Sequence, residues 1–276
     1  MRVRAALLAL AVAALAQPAG AQAVLDTHGR QTVQVRTRPD AVGDRYSYRS
    51  ETKFVQKDDY GGQTQSNALT FDLEVLGRAP DGLRLRHTLR EASLTDSGGA
   101  SMEKAMAAAV GGVLDFRLGA DGRIVAVETW PAYKAGLLAR ADAALPADDP
   151  IRRIVHERVE GPPLDAAREM VLGDVALMAV VELQGALPLG LTHLDDPGTS
   201  KATLAVSVRK PGCTVALERE TSRGATGAGS ALVTKAELSI ADGRVLTLEE
   251  RKVARGPGGS QEQTVTIRRL SPAPAC

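Results

Sequence analysis

Strict period-two alternation is the feature that most restricts what this chain can become. In Leu69-Thr-Phe-Asp-Leu-Glu-Val75 apolar side chains take every second position and polar ones the positions between. Only a β-strand, whose successive side chains point to opposite faces, sorts that pattern into one dry and one wet side. The same pattern places Tyr46, Tyr48 and Phe54 against Arg45, Arg49, Glu51 and Lys53, and Leu83, Leu85 and Leu89 against Arg84, Arg86, Thr88 and Arg90. Ala79-Pro80-Asp81-Gly82 stands between two of these runs, and Gly adopts positive φ cheaply while Asp bonds its own backbone, so the connection is a hairpin and the pairing antiparallel.

A second hairpin is expected at 113–118 and 123–130 around Ala120-Asp121-Gly122. The segment from Leu118 to Glu128 is echoed by the segment from Ser239 to Glu249, which repeats Asp-Gly-Arg at Asp242-Gly243-Arg244. That echo fits either an internal duplication, each half supplying a sheet, or a turn that simply recurs in β-rich chains. Strands are expected again at 202–209, 213–221, 231–240, 244–254 and 263–270, with Gly-rich mobile loops at 221–229 and 255–260.

Between the two meanders the period changes to 3.6. Short helices are expected at 131–143 and 150–159, the second opened by Asp148 and Asp149 ahead of Pro150. A longer one starts at Pro162-Pro163 and runs to Gln184-Gly185, with Leu164, Ala167, Val171, Val175, Met178 and Ala179 on one face. An amphipathic segment of this kind covers the dry face of the strands, or roofs a ligand cavity.

The first residues carry Arg2 and Arg4, an apolar run over 5–16, and the small-residue sites Ala19-Gly20-Ala21 and Ala21-Gln22-Ala23. This pattern is expected of a signal peptide over 1–23, the run falling short of the ~18 residues a membrane span needs. The mature domain is then 24–276, composed of a first meander (24–130), a helical insert (131–185) and a second meander (186–276). A periplasmic or secreted location follows, without stable membrane insertion. Export gives two readings of Cys213 and Cys276: a disulfide, worth roughly 3 to 4.5 kcal/mol through chain entropy, or a frayed tail with Cys276 unpaired.

Lys and Arg number 34 against 33 Asp and Glu, a net charge of +1, so no strong field draws the chain to nucleic acid. Aromatic residues make up 3% of the chain, too few for base-stacking platforms, and leave a core of Leu, Val and Ala. The four histidines are His28, His87, His156 and His193. His87 shares the parity of Leu83, Leu85 and Leu89 and is read as a satisfied core imidazole, with a ligand-contacting group or catalytic base as the alternatives. His156 is expected at the surface, and no second His follows it at zinc-protease spacing. His193 with Asp195 and Asp196 lies in a loop rich in turn formers. Gly224 to Gly229 resembles a dinucleotide fingerprint but is followed by a strand. No metal, cofactor or catalytic set is expected.

The signal peptide, the Tyr46-x-Tyr48 strand, the antiparallel meander, the Asp121-Gly122-Arg123 hairpin leading through Trp130 into central helices, and the Leu187-Pro188-Leu189-Gly190 re-entry together resemble uncharacterised β-rich envelope proteins of proteobacteria. In outline they are also similar to the periplasmic lipoprotein-carrier (LolA-like) half-barrels. The resemblance implies an α+β fold, a curved antiparallel sheet or half-barrel with a helical segment packed on it. The expected function is non-enzymatic binding of an apolar small molecule, such as a lipid or lipoprotein, or of an envelope protein; a structural interaction module and a hydrolase using His87 or His193 are the alternatives. Candidate ligand contacts are His87, Tyr46, Tyr48, Phe71 and Met178.

Overall fold

The computed structural model describes residues 24–25, 31–58, 61–96, 100–182, 185–194, 201–209, 213–225, 228–256 and 258–274. The expected signal peptide, His28, Asp195, Asp196 and Cys276 lie outside the described residues. The fold is α+β, a large curved antiparallel sheet with, among the described residues, five helices.

The first meander comprises β3 (Arg45–Asp58), β4 (Gly61–Ala79), β5 (Gly82–Asp96), β6 (Val113–Gly119) and β7 (Ile124–Val127). The second comprises β9 (Gly190–His193), β10 (Lys201–Arg209), β11 (Thr214–Ala225), β12 (Ala228–Ser239), β13 (Val245–Gly256) and β14 (Gly259–Arg269). They share one sheet of 11 strands in the order β7-β6-β5-β4-β3-β14-β13-β12-β11-β10-β9. The seam is β3 against β14, with Ile267 opposite Ser50 and Val265 opposite Thr52. A separate sheet of 3 strands joins β1 (Val24–Leu25), β2 (Gln31–Val35) and β8 (Gly185–Pro188).

This order dictates where the helices lie. The chain leaves the sheet at the β7 edge and returns at the opposite β9 edge, a distance of roughly 48 Å across ten strand spacings if the sheet were flat. The insert must therefore traverse one face, called inner here. It does so as α2 (Trp130–Ala144), α3 (Pro150–Val159), α4 (Pro163–Met170) and α5 (Gly173–Val181), joined by α1 (Ala100–Ala108) from between β5 and β6. None of these helices is long and apolar enough to cross a membrane.

The inner face carries the alternating apolar set: Tyr48, Phe71, Leu73, Leu85, Leu248 and Ile267 are all 2% exposed or less. The outer face carries the charges, paired across strands, as in Arg86 with Asp115, whose two nitrogen–oxygen contacts are 2.7 and 2.9 Å. One bulge changes the sequence parity. Thr70 faces Glu91 while Phe71 faces Leu89, leaving Arg90 as the extra residue of β5. Inner positions consequently shift from Leu85, His87 and Leu89 to Ala92 and Leu94.

Three expectations are corrected. The single long helix after Pro162 is two, because the backbone departs from helical geometry at Val171 (φ −130°) and Leu172 (φ −103°, ψ 14°). A β-branched residue and Gly173 favour a break there, and the turn seats Leu172 at 0% exposure. The stretches 221–229 and 255–260 are mostly strand rather than mobile loop. β11 and β12 stay paired out to Ala225 opposite Ala228, and β13 and β14 out to Gly256 opposite Gly259. Helix α1 had no counterpart in the pattern reading, although Met102, Ala105, Met106 and Ala109 follow helical spacing.

Candidate functional site

Where β3, β4 and β5 face α1, α2 and α3, the two layers do not close on each other. A cavity of about 430 Å³ remains between them. The sheet contributes Leu69, Phe71, His87, Leu89 and Leu94; the helices contribute Met102, Ala105, Met106, Leu137, Ile154 and Val155. The space is half open to solvent, and its walls also carry Thr52, Gln65, Asn67 and Asp174; a groove of this size between two layers is a candidate ligand site.

Side-chain hydrogen bonds fasten the helices over the cavity to one another. Ser101 on α1 donates to Asp149, the N-cap of α3, at 2.7 Å, and Asp149 also accepts from the Ile151 amide at 2.8 Å. The Ser101 hydroxyl, with that amide, holds the Asp149 carboxyl below its usual range. Arg140 on α2 donates to the Ala108 carbonyl ending α1 at 2.6 Å. Asp142 on α2 takes both Arg152 and His156 of α3, at 2.6 and 2.7 Å, which makes His156 a helix-to-helix clip, half-exposed. Gly112, following α1, is needed as glycine because a Cβ there would lie 2.7 Å from the Tyr133 ring, itself stacked on Trp130 at 5.5 Å.

At one end of the cavity floor, three rings cross three adjacent strands. Tyr48 stacks on Phe71 with centroids 5.6 Å apart, and Phe71 on His87 at 5.1 Å. His87 is 3% exposed, and its Nδ1 and the Tyr48 hydroxyl are buried with no hydrogen-bond partner. His87 is thus a core imidazole, as its parity implies, but not a satisfied one. Burial lowers its pKa to about 4, only partly offset by Asp72, so the ring is neutral at physiological pH. Asp174, in the first turn of α5, also lines the cavity, and burial raises its pKa. Arg158 and Glu169 stand at the rim, both exposed and 3.3 Å from each other.

Of the five expected contacts, the cavity is lined by His87 and Phe71. Tyr48 lies behind Phe71, and Met178 is buried at 1% exposure in α5. Tyr46 belongs to a different construction, a buried ionic network that pattern reading missed. Arg244, 2% exposed, reaches Glu182 at 2.6 Å and Asp40 at 3.1 Å. Arg36 meets Asp40 at 2.6 Å, and Arg269 meets Asp242 at 2.7 Å. Arg244 and Arg269 also lie over the Tyr46 ring, 4.8 and 5.0 Å from its centroid, while its hydroxyl donates to Asp40 at 2.8 Å. Three arginines and three carboxylates from the segment after β2, the end of α5, the β12–β13 turn and β14 are thereby locked together. This is a structural knot and not a reactive centre, since every charge has an opposite partner.

The two Asp-Gly-Arg turns share their local chemistry but not their surroundings. Asp121 accepts from the Arg123 amide at 3.0 Å and Asp242 from the Arg244 amide at 3.1 Å, with Gly122 and Gly243 at φ of 78° and 66°. Arg123 is exposed, whereas Arg244 is the centre of the network. His193 ends the edge strand β9 and is exposed. Cys213 stands immediately before β11.

No protein-family model matches this chain, and no curated protein matches it. Among solved structures it is similar to a lipovitellin structure concerned with lipid–protein interactions, at 10% identity and a TM-score of 0.47, over 86% of this chain and 26% of that one. This chain thus spans about a quarter of the length of the lipovitellin chain. A complex of MucA and MucB from Pseudomonas aeruginosa shows 9% identity and a TM-score of 0.10, over 80% of this chain and 88% of that one. MucB with MucA(peri) shows 8% and 0.11, over 81% and 88%. Likenesses this loose do not bear on the ligand.

Proposed function

We propose that this chain is an exported binding protein for a small apolar molecule, held between the inner face of β3–β5 and the lid formed by α1, α2 and α3. The carrying observation is the cavity itself: about 430 Å³, walled by aliphatic side chains from both layers and thioethers from the helices, with polar groups such as Asn67, His87 and Asp174 among them. That volume lies within the range of ~300–1,000 Å³ usual for small-molecule sites, and the mix of apolar walls with a few polar groups is their usual composition.

The test is a titration with N-phenyl-1-naphthylamine, a neutral apolar dye whose fluorescence rises on leaving water. Saturable binding is expected to wild type and loss of binding to Ala105→Phe, which fills the cavity from α1; unchanged far-UV circular dichroism would show that the variant folds. Equal binding to both would overturn the site assignment, and no binding to either would overturn the function.

A second reading, an envelope-protein interaction module, is favoured by β9. It is the terminal strand of the sheet, and its Leu191 is 65% exposed, a surface suited to strand addition by a partner.

A further inference from the structure

Resting on the cavity as a ligand site, we propose that its ligand is a neutral, linear amphiphile bearing a hydroxyl, and that the His87 imidazole binds that hydroxyl at the cavity floor.

The shape comes from the register. His87 pairs with Leu73, Leu89 with Phe71, Leu94 with Asn67, and Asp96 with Gln65. His87, Phe71, Leu89, Leu69, Leu94, Asn67 and Gln65 therefore line the cavity in sequence along two neighbouring strands, apolar in the middle and polar at both ends. From Leu73, level with His87, to Gln65 the strand β4 rises eight steps, roughly 26 Å. An elongated slot of this kind suits a chain-like body.

The hydroxyl comes from His87. A neutral imidazole has one N–H donor and one acceptor nitrogen, and a hydroxyl offers the complementary pair. Nδ1 is sealed and has no partner within the protein, so the ring meets the cavity through its other edge, where Nε2 is the function open to a ligand. An unmet polar function in a largely apolar site is costly, and a ligand hydroxyl that bonds the ring recovers that cost on binding.

Neutrality comes from the charges around the slot. Among the described lining residues the one cation is Arg158, and Glu169 faces it at 3.3 Å. No cation is left over for a carboxylate or phosphate. Burial keeps His87 from becoming one, and Asp174 presents a carboxyl whose ionisation is already disfavoured by burial. A second negative charge beside it would be rejected.

The test uses displacement of bound N-phenyl-1-naphthylamine at pH 8 by 1-octanol, n-octane and octanoate, with wild type, His87→Leu and His87→Gln. Octanol affinity is expected to fall about tenfold in His87→Leu and to recover in His87→Gln, octane affinity to stay within about twofold throughout, and octanoate not to compete. Parallel changes for octanol and octane, no change for octanol, or competition by octanoate would each overturn the inference while leaving the apolar site in place. Should the dye not bind wild type at all, the site itself fails, which separates the two outcomes. If His87→Leu does not fold, His87→Phe takes its place: loss of octanol affinity with octane affinity kept supports the hydrogen bond, and unchanged octanol affinity or a loss equal for octanol and octane contradicts it.

Discussion

Arg244 Nη1 lies 2.6 Å from Glu182 Oε2, with each side chain 5% exposed or less, and the other carboxylate oxygen of Glu182 accepts from the Val245 amide at 3.0 Å. The end of the helix that crosses the sheet is thereby fixed to the β12–β13 turn. Removing one member of such a pair leaves a buried charge uncompensated. Arg244→Met is expected to destabilise the protein by about 3–5 kcal/mol in urea unfolding. Arg251→Ala, which breaks the exposed 2.8 Å pair with Glu262, is expected to leave the denaturation midpoint unchanged.

His87 makes stability fall with acidity. Above pH 6.5 it is neutral in both folded and unfolded chains and contributes no pH dependence. Between 6.5 and its folded value of about 4, the unfolded chain binds a proton that the folded chain refuses, so stability declines as pH falls, by about 3 kcal/mol in total. Below that, both states are protonated and the contribution is flat. Asp174 and Glu250, raised by burial, act in the opposite direction, losing stability as pH rises. The difference between wild type and His87→Phe, followed by urea unfolding from pH 7.5 to 4, isolates the histidine.

Gly122 and Gly43 separate backbone strain from crowding. Both have positive φ, 78° and 87°, but a Cβ on Gly122 would lie 2.5 Å from the Ala179 carbonyl of α5, while one on Gly43 meets nothing within 4 Å. Gly43→Ala is expected to cost about 1–2 kcal/mol from the left-handed conformation alone. Gly122→Ala should cost more, because α5 must move as well. Thermal melts of the two variants side by side give the comparison.

The strands were legible because β4 and β5 repeat apolar and polar residues at period two with punctuation between them, and that pattern has one structural solution. The bulge at Arg90 was not, since it arises from pairing with β4 and leaves no mark on local composition. Nor was the shared sheet: nothing near Tyr48 announces that Arg269, more than 200 residues on, is its neighbour. The ionic network was hidden for the same reason, Arg244 and Asp40 being 204 positions apart. Of the cavity, the floor was readable through the parity of Phe71 and His87. The roof was not, because α1 is a helix of 9 residues whose Met and Ala spacing is easily taken for a connection. Low aromatic content suggested a plain aliphatic core, yet Phe71 and Tyr133 line one site, each stacked on a further ring, Tyr48 and Trp130.

The space between β3–β5 and the lid is proposed to hold a neutral apolar molecule. Native mass spectrometry of the protein purified without detergent from the cells that make it addresses this directly. A bound mass is expected that is released on collisional activation and extracts into organic solvent as an uncharged, hydroxyl-bearing lipid. The same preparation of Ala105→Phe should carry none. Bare polypeptide in wild type, or an equal bound mass in the filled variant, would contradict that proposal.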